Sequence, residues 1–241
     1  MATENTRSVS YTPGCLEETL VMQIKSVIAA SFNGIDADAY YQHYFDDPAV
    51  SKRRLRLYFE DNLVVGYCLL TFTDVSKRQV VIGASAAFLA HHRGNNNTFA
   101  FSIIEAIKHY AQRPWQHHVY ADTMLSPAMF RAMAKNIAIV YPNQIGFNAK
   151  VASLYEKLNP EGIISAGNNM RCLRKVGRHV SYSAAEISQF RASQKPEIAL
   201  YCQVNPNFHQ GVALVTIIPI SLKQLLLTLK KWLLKKYIKV K

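Results

Sequence analysis

The sequence is short of several features that would have named its chemistry outright. Its 241 residues include four cysteines (Cys15, Cys68, Cys172 and Cys202), with no CxxC pair and no histidine nearby at ligand spacing. That excludes a cysteine-built zinc site and a disulfide scaffold, and it fits a reducing compartment. No run approaches the ~18 uninterrupted apolar residues of a membrane span. The first ten residues, MATENTRSVS, lack the apolar core of a signal segment. A cytoplasmic protein is expected. Glycine is scarce, at ten residues, and no G-x-S-x-G elbow occurs, which removes the serine-hydrolase reading. There is no internal repeat and no low-complexity stretch. With 49% apolar and 18% charged residues, the chain has the material for a sizeable core.

Acid is lacking in one place above all. Residues 222 to 241 carry seven lysines and no Asp or Glu, and taking those seven from the formal net charge of +12 leaves the remaining body at +5. The basicity is therefore concentrated in a terminal segment, and a nucleic-acid surface spread over the fold is not expected.

Periodicity orders the rest. LEETLVMQIKSVIAASF (16 to 32) has helical spacing, and Asp36 caps a second short helix over 36 to 45. RRLRLYFE, the turn dipeptide Asp61-Asn62 and LVVGYCLLTFT read as a β-hairpin. A strand is expected over 77 to 89, then a polar loop. A helix follows over 98 to 112, through Phe99, Ile103, Ile104 and Ile107. HHVYADTML reads as a strand, and Ser126-Pro127 opens a further helix with serine as cap. NAKVASLYEKL (148 to 158) is a helix, while MRCLRKV and GVALVTIIPI fit strands. The expected fold class is mixed α/β, a largely antiparallel sheet flanked by helices.

The stretch HHRGNNNTFAF joins the strand over 77 to 89 to the helix at 98. Strand, polar loop and helix N-terminus form an arrangement that receives phosphates, because the unpaired N–H groups and the helix dipole favour an anion. Most such loops bind nothing. This one, with Arg93-Gly94 in it and YFEDNLVVGYCLL before it, resembles the GNAT superfamily of N-acetyltransferases over roughly residues 15 to 160. The resemblance implies that acetyl- or acyl-coenzyme A is the co-substrate. Backbone groups from Phe88 to Ala90 would then pair with pantetheine, and the loop Arg93, Gly94, Asn95, Asn96, Asn97 and Thr98 would take the pyrophosphate. Asn96 and Thr98 stand where the family pattern has glycine or alanine. NAKVASLYEKL is similar to the family helix whose tyrosine protonates the departing thiolate, a role that would fall to Tyr155. About twenty residues separate that helix from the strand it normally follows. The helix opening at Ser126 is the alternative occupant of the catalytic place.

Amine acylation also needs a base. The strand over 77 to 89 contains no carboxylate. Asp122 on the next strand is the candidate, with His91, His92 and Ser126 as substitutes. Tyr40, Tyr41 and Tyr44 have the spacing of ordinary core packing, while the resemblance would set that helix against the acceptor.

SLKQLLLTLKKWLLKKYIKVK places Leu222, Leu225, Leu226, Leu229, Leu233 and Tyr237 on one helical stripe. It fits an interfacial helix drawn to anionic lipid, or a helix packed on its own sheet or on a second copy. These observations divide the chain into a GNAT-like acyltransferase domain (1–165), an extension packing on the sheet (166–220) and a basic amphipathic helix (221–241). The expected activity is acyl transfer to an amine of a small molecule or a protein. A homodimer and peripheral membrane contact are the further partners. The alternative is a GNAT-like binding module without catalysis, held to a membrane by its terminal helix. An acyl-carrier protein as donor is a third reading within the fold.

Overall fold

Asp61 and Asn62 both adopt positive φ, 47° and 67°. This is the backbone of a two-residue hairpin turn, which aspartate and asparagine tolerate at low cost. The turn joins β2 (Lys52–Glu60) to β3 (Leu63–Ser76) in the computed structural model, which describes residues 5–12, 14–92, 98–143, 148–178, 180 and 182–238. The described chain forms two compact units, Met1–His118 and Val119–Lys241. The division at 165 and 220 made on sequence is of another kind, by function, and stands as a proposal.

In the first unit, β1 (Asn5–Val9), β2, β3 and β4 (Gln79–Phe88) pair antiparallel in that order. Period-two alternation gives the sheet two different faces. Leu55 lies opposite Leu69, and Leu57 opposite Tyr67, which in turn faces Ala87 across the β3–β4 ladder. These residues join Ile24, Val27 and Ile28 of α1 (Glu18–Ser31) and Tyr40, Tyr41 and Phe45 of α2 (Ala37–Phe45) in one buried cluster. Complete burial of side chains this size contributes about 2 kcal/mol each. Asp36 caps α2 as expected, accepting from the N–H groups of Asp38 and Ala39. Tyr40 and Tyr41 are core residues.

The other face of the sheet meets α3 (Thr98–Gln112). Here the helix is as expected but its orientation is not. The stripe Phe99, Ile103, Ile104 and Ile107 is not what α3 buries, and Ile104 is 49% exposed. Phe101, Ser102, Glu105, Ala106 and His109 are buried instead. The sheet supplies the reason. Arg54 Nε lies 2.6 Å from Glu105, the Arg56 guanidinium lies 4.6 Å from the centre of the Phe101 ring, and Phe72 stacks on His109 at 4.3 Å. A polar face can be buried when each group meets its partner.

The second unit contains β5 (His117–Met124, entering from the first unit), α4 (Pro127–Asn136), α5 (Ala149–Leu158), β6 (Leu173–Lys175), α6 (Ala184–Arg191), α7 (Pro196–Val204), β7 (Val212–Ile220) and α8 (Leu222–Ile238). β7 lies between β5 and β6 and runs antiparallel to β6. Ser126 stands at the N-cap of α4 but makes no capping bond, and its hydroxyl engages Tyr182 instead. Asn148 caps α5 through the N–H groups of Lys150 and Val151. Helices α6 and α7 and strand β1 were not expected. Ser183-Ala-Ala-Glu186 forms a capping box at α6, a signal that was present but short. The class expected from sequence, a mixed α/β protein with largely antiparallel pairing and an extension ending in a helix, is the class observed.

Candidate functional site

In the first unit the expected strand and the expected helix are both present. β4 ends at Phe88, a single 3₁₀ turn covers Ala90–His92, and α3 opens at Thr98 with no acid in its first turn. Arg93, Gly94, Asn95, Asn96 and Asn97 lie outside the described residues. The end of β4 is held tightly. The Phe88 carbonyl accepts from the Ser31 hydroxyl at 3.0 Å, and the Leu89 N–H donates to Val65 O at 3.0 Å. Phe88 also lies over Gly66, where a Cβ would meet its ring at 2.0 Å. Only glycine lets that ring sit down on β3. His92 Nε2 is 3.3 Å from Glu60, so this histidine is tied to the end of the hairpin. A cleft of about 690 Å³ opens beside the segment, between α1 and the β2–β3 turn. Its walls include Met22, Ala30, Leu63 and Leu89, with Glu60 and Asp61 among the lining residues.

The second unit holds the other two candidates. Asp122 on β5 accepts from the Tyr120 hydroxyl at 3.0 Å and from the Thr123 N–H at 2.7 Å. Burial pushes its carboxyl up to about 6, against the pull of those two hydrogen bonds and of the Arg178 charge. A carboxyl titrating there is half-ionised close to neutral pH, where a general base works best. Tyr155 on α5 is fully buried, and its hydroxyl makes no hydrogen bond among the described residues. Burial raises its pKa well above the usual phenol value, with Cys172 and Tyr141 adding to the shift. The proton therefore stays on the oxygen throughout the working pH range. No hydrogen bond links Asp122 and Tyr155 among the described residues.

Sequence reasoning named Asp122 and Tyr155 but missed what tunes them. Tyr120 was legible, since residues two apart on a strand share a face. Arg178 and Cys172 arrive from distant sequence and left no signal. Among the described residues no group of three or more His, Cys, Asp or Glu could hold a metal ion.

No protein-family model and no curated protein sequence matches the chain. Among solved structures it is similar to a GNAT family N-acetyltransferase (YhbS) from Escherichia coli in complex with CoA. The identity is 16% and the TM-score 0.39, covering 55% of this chain and 69% of that one. It is also similar to Arabidopsis thaliana Naa50 in complex with a bisubstrate analogue, at 9% identity and TM-score 0.40, over 88% and 99% of the two chains. Escherichia coli ElaA is similar at 13% identity and TM-score 0.37, over 59% and 95%. At identities and scores of this size, the fold class rests on the strand pairing and helix packing described above.

Proposed function

We propose that this chain is an acyltransferase moving an acetyl or longer acyl group from acyl-coenzyme A to an amine borne by a small molecule or a protein. The observation that carries this reading is the end of β4. The strand stops at Phe88, and a 15-residue helix with an acid-free first turn opens at Thr98. The positive end of the helix dipole at such an N-terminus suits a pyrophosphate. Phe88, Ala90, Thr98 and the loop Arg93, Gly94, Asn95, Asn96 and Asn97 would hold the co-substrate. The thioester supplies an activated acyl carbon and a thiolate leaving group.

Two groups of the second unit are assigned the proton transfers. Asp122 accepts a proton from the acceptor ammonium, which frees the nitrogen lone pair. As the C–N bond forms and the C–S bond breaks, the Tyr155 hydroxyl gives its proton to the sulfur, and the second proton, shed by the nitrogen as it becomes an amide, restores the Tyr155 phenol. Asp122 then releases its proton to solvent.

A second reading, a binding module without catalysis that associates with a membrane through 221–241, is favoured by the outward-facing leucines of α8. One measurement separates the two. Acetyl-coenzyme A at 100 times its Kd should stabilise the enzyme by about 2.7 kcal/mol in a thermal-shift assay, and Arg93→Ala should weaken the effect. No shift, with no calorimetric binding at high ligand concentration, would leave the binding module.

A further inference from the structure

A terminal amphipathic helix ordinarily turns its apolar stripe towards the protein. In α8 the arrangement is reversed. Gln224 is buried, accepting from the Ile139 N–H at 3.1 Å and donating to the Ile139 carbonyl at 2.7 Å. Thr228 Oγ1 accepts from the Ala138 N–H at 3.1 Å. Lys231 Nζ donates to the carbonyls of Ala134 and Ile137 at 2.9 and 2.8 Å, and Trp232 Nε1 donates to Asn136 O at 2.6 Å. Positions 224, 228 and 231 share one helical face. The α4 carbonyl end they cover is where a lysine is favoured by the helix dipole. α8 is thus mounted by a polar face on the backbone of residues 134 to 139.

The stripe on the far side is left in water. Leu222, Leu226, Leu229 and Leu233 are 61%, 59%, 52% and 50% exposed. Single exposed leucines are ordinary, but a contiguous row marks a surface that meets something. Lys223 and Lys230 stand exposed beside the row, in a segment of seven lysines without an acid. Two such helices face to face would set lysine against lysine with nothing to neutralise them. An anionic lipid surface answers both the leucines and the lysines. No helix among the described residues is long and apolar enough to cross a membrane, so the contact is interfacial.

We propose that α8 is a rigidly mounted membrane contact. It lies flat on an anionic bilayer with its leucine row in the interfacial layer, and its polar face stays fixed to residues 134 to 139. The proposal deepens the membrane reading of 221–241 and does not depend on acyl transfer. The test is sedimentation of the full chain with phosphatidylcholine vesicles made with and without phosphatidylserine, followed by amide hydrogen exchange on the bound protein. The expected result is binding only when phosphatidylserine is present. Leu226→Glu with Leu229→Glu should lower it at least ~10-fold while leaving the melting temperature unchanged, because both positions face water. The N–H groups of Ala138 and Ile139 should stay protected on the vesicle. Binding with loss of that protection would overturn the mounting and leave the membrane reading intact. No binding at all would end both. Equal binding to uncharged vesicles would overturn the lysine contribution. A double glutamate variant that turns a dimer into a monomer, without vesicle binding by the parent, would assign the row to a second copy.

Discussion

Asp122 and Tyr155 sit in the same unit, and the same cause, burial, shifts both in opposite functional senses. It moves a carboxyl to where it can exchange protons near neutrality, and it fixes a phenol in its protonated form. If Asp122 is the base, kcat/KM should rise with pH through an apparent pKa near 6, since only the carboxylate accepts a proton. Asp122→Asn should remove that limb and cost ~100- to 10,000-fold in rate. Tyr120→Phe deletes a hydrogen bond that holds the pKa down, so the limb should move to higher pH. An unchanged limb in Asp122→Asn would hand the role to another group. Tyr155→Phe separates chemistry from packing. Removing a buried hydroxyl without a partner relieves a cost of about 1–3 kcal/mol, so the variant should melt no lower than the parent. Its turnover should fall with little change in co-substrate affinity, and full activity would assign Tyr155 to the core. Both residues were legible as types on their elements. What sets their proton affinity was not, because Arg178, Cys172 and Tyr141 approach through the fold.

At the scale of elements, α3 teaches how an apolar pattern can mislead. Its isoleucines gave the helix correctly, but the sheet beneath offers Arg54 and Cys68, and the helix turns Glu105 and Ser102 towards them. The same face carries a buried histidine pair. His118 Nδ1 lies 3.0 Å from Gln116 O, so it is the donor there, and its Nε2 lies 2.9 Å from His109 Nδ1. Lowered pKa values keep both rings neutral near pH 7, which makes His109 Nδ1 the donor of that second bond. Burial lowers His109 to about 4 and lowers His118 as well. The unfolded chain, whose histidines titrate near the ordinary 6.5, binds more protons than the folded one below that pH. Stability attached to this pair is thus fully present above pH ~6.5 and is lost as pH falls towards ~4. Urea midpoints should drop across that window, and His109→Leu with His118→Leu should flatten the slope even if it lowers the plateau. A slope unaltered by the double substitution would place the acid sensitivity elsewhere. α8 is the second case. Its pattern foretold an amphipathic helix, yet Gln224 and Thr228, outside the leucine stripe, are among the residues that hold it.

For the whole molecule, charge is the property that reaches furthest. The formal +12 is carried mostly by the last twenty residues, so electrostatic attraction is directed at one end of the chain. Binding to anionic vesicles should accordingly weaken as ionic strength rises and the Debye length shrinks from ~10 Å at 0.1 M. Salt-independent binding would mean that the leucines act alone. The residues proposed to hold the co-substrate belong to the first unit and α8 to the second, so loss of vesicle binding in the Leu226 and Leu229 variants should leave acetyl-coenzyme A binding unaltered.

By itself the sequence determined the hairpin at Asp61-Asn62, the strand that ends before residue 90, the helix capped at Asp36, the helix over 148 to 158, and the amphipathic terminus. Each depends on local rules of turn chemistry, capping and periodicity that neighbours in sequence can satisfy. Tertiary structure alone decided which face of α3 is buried, that β1 becomes a strand by pairing with β2, how far Asp122 is shifted, and which way α8 looks. These are settled by hydrogen-bond partners and by exclusion of water. Both depend on groups brought together across tens of residues of chain, which no local pattern records.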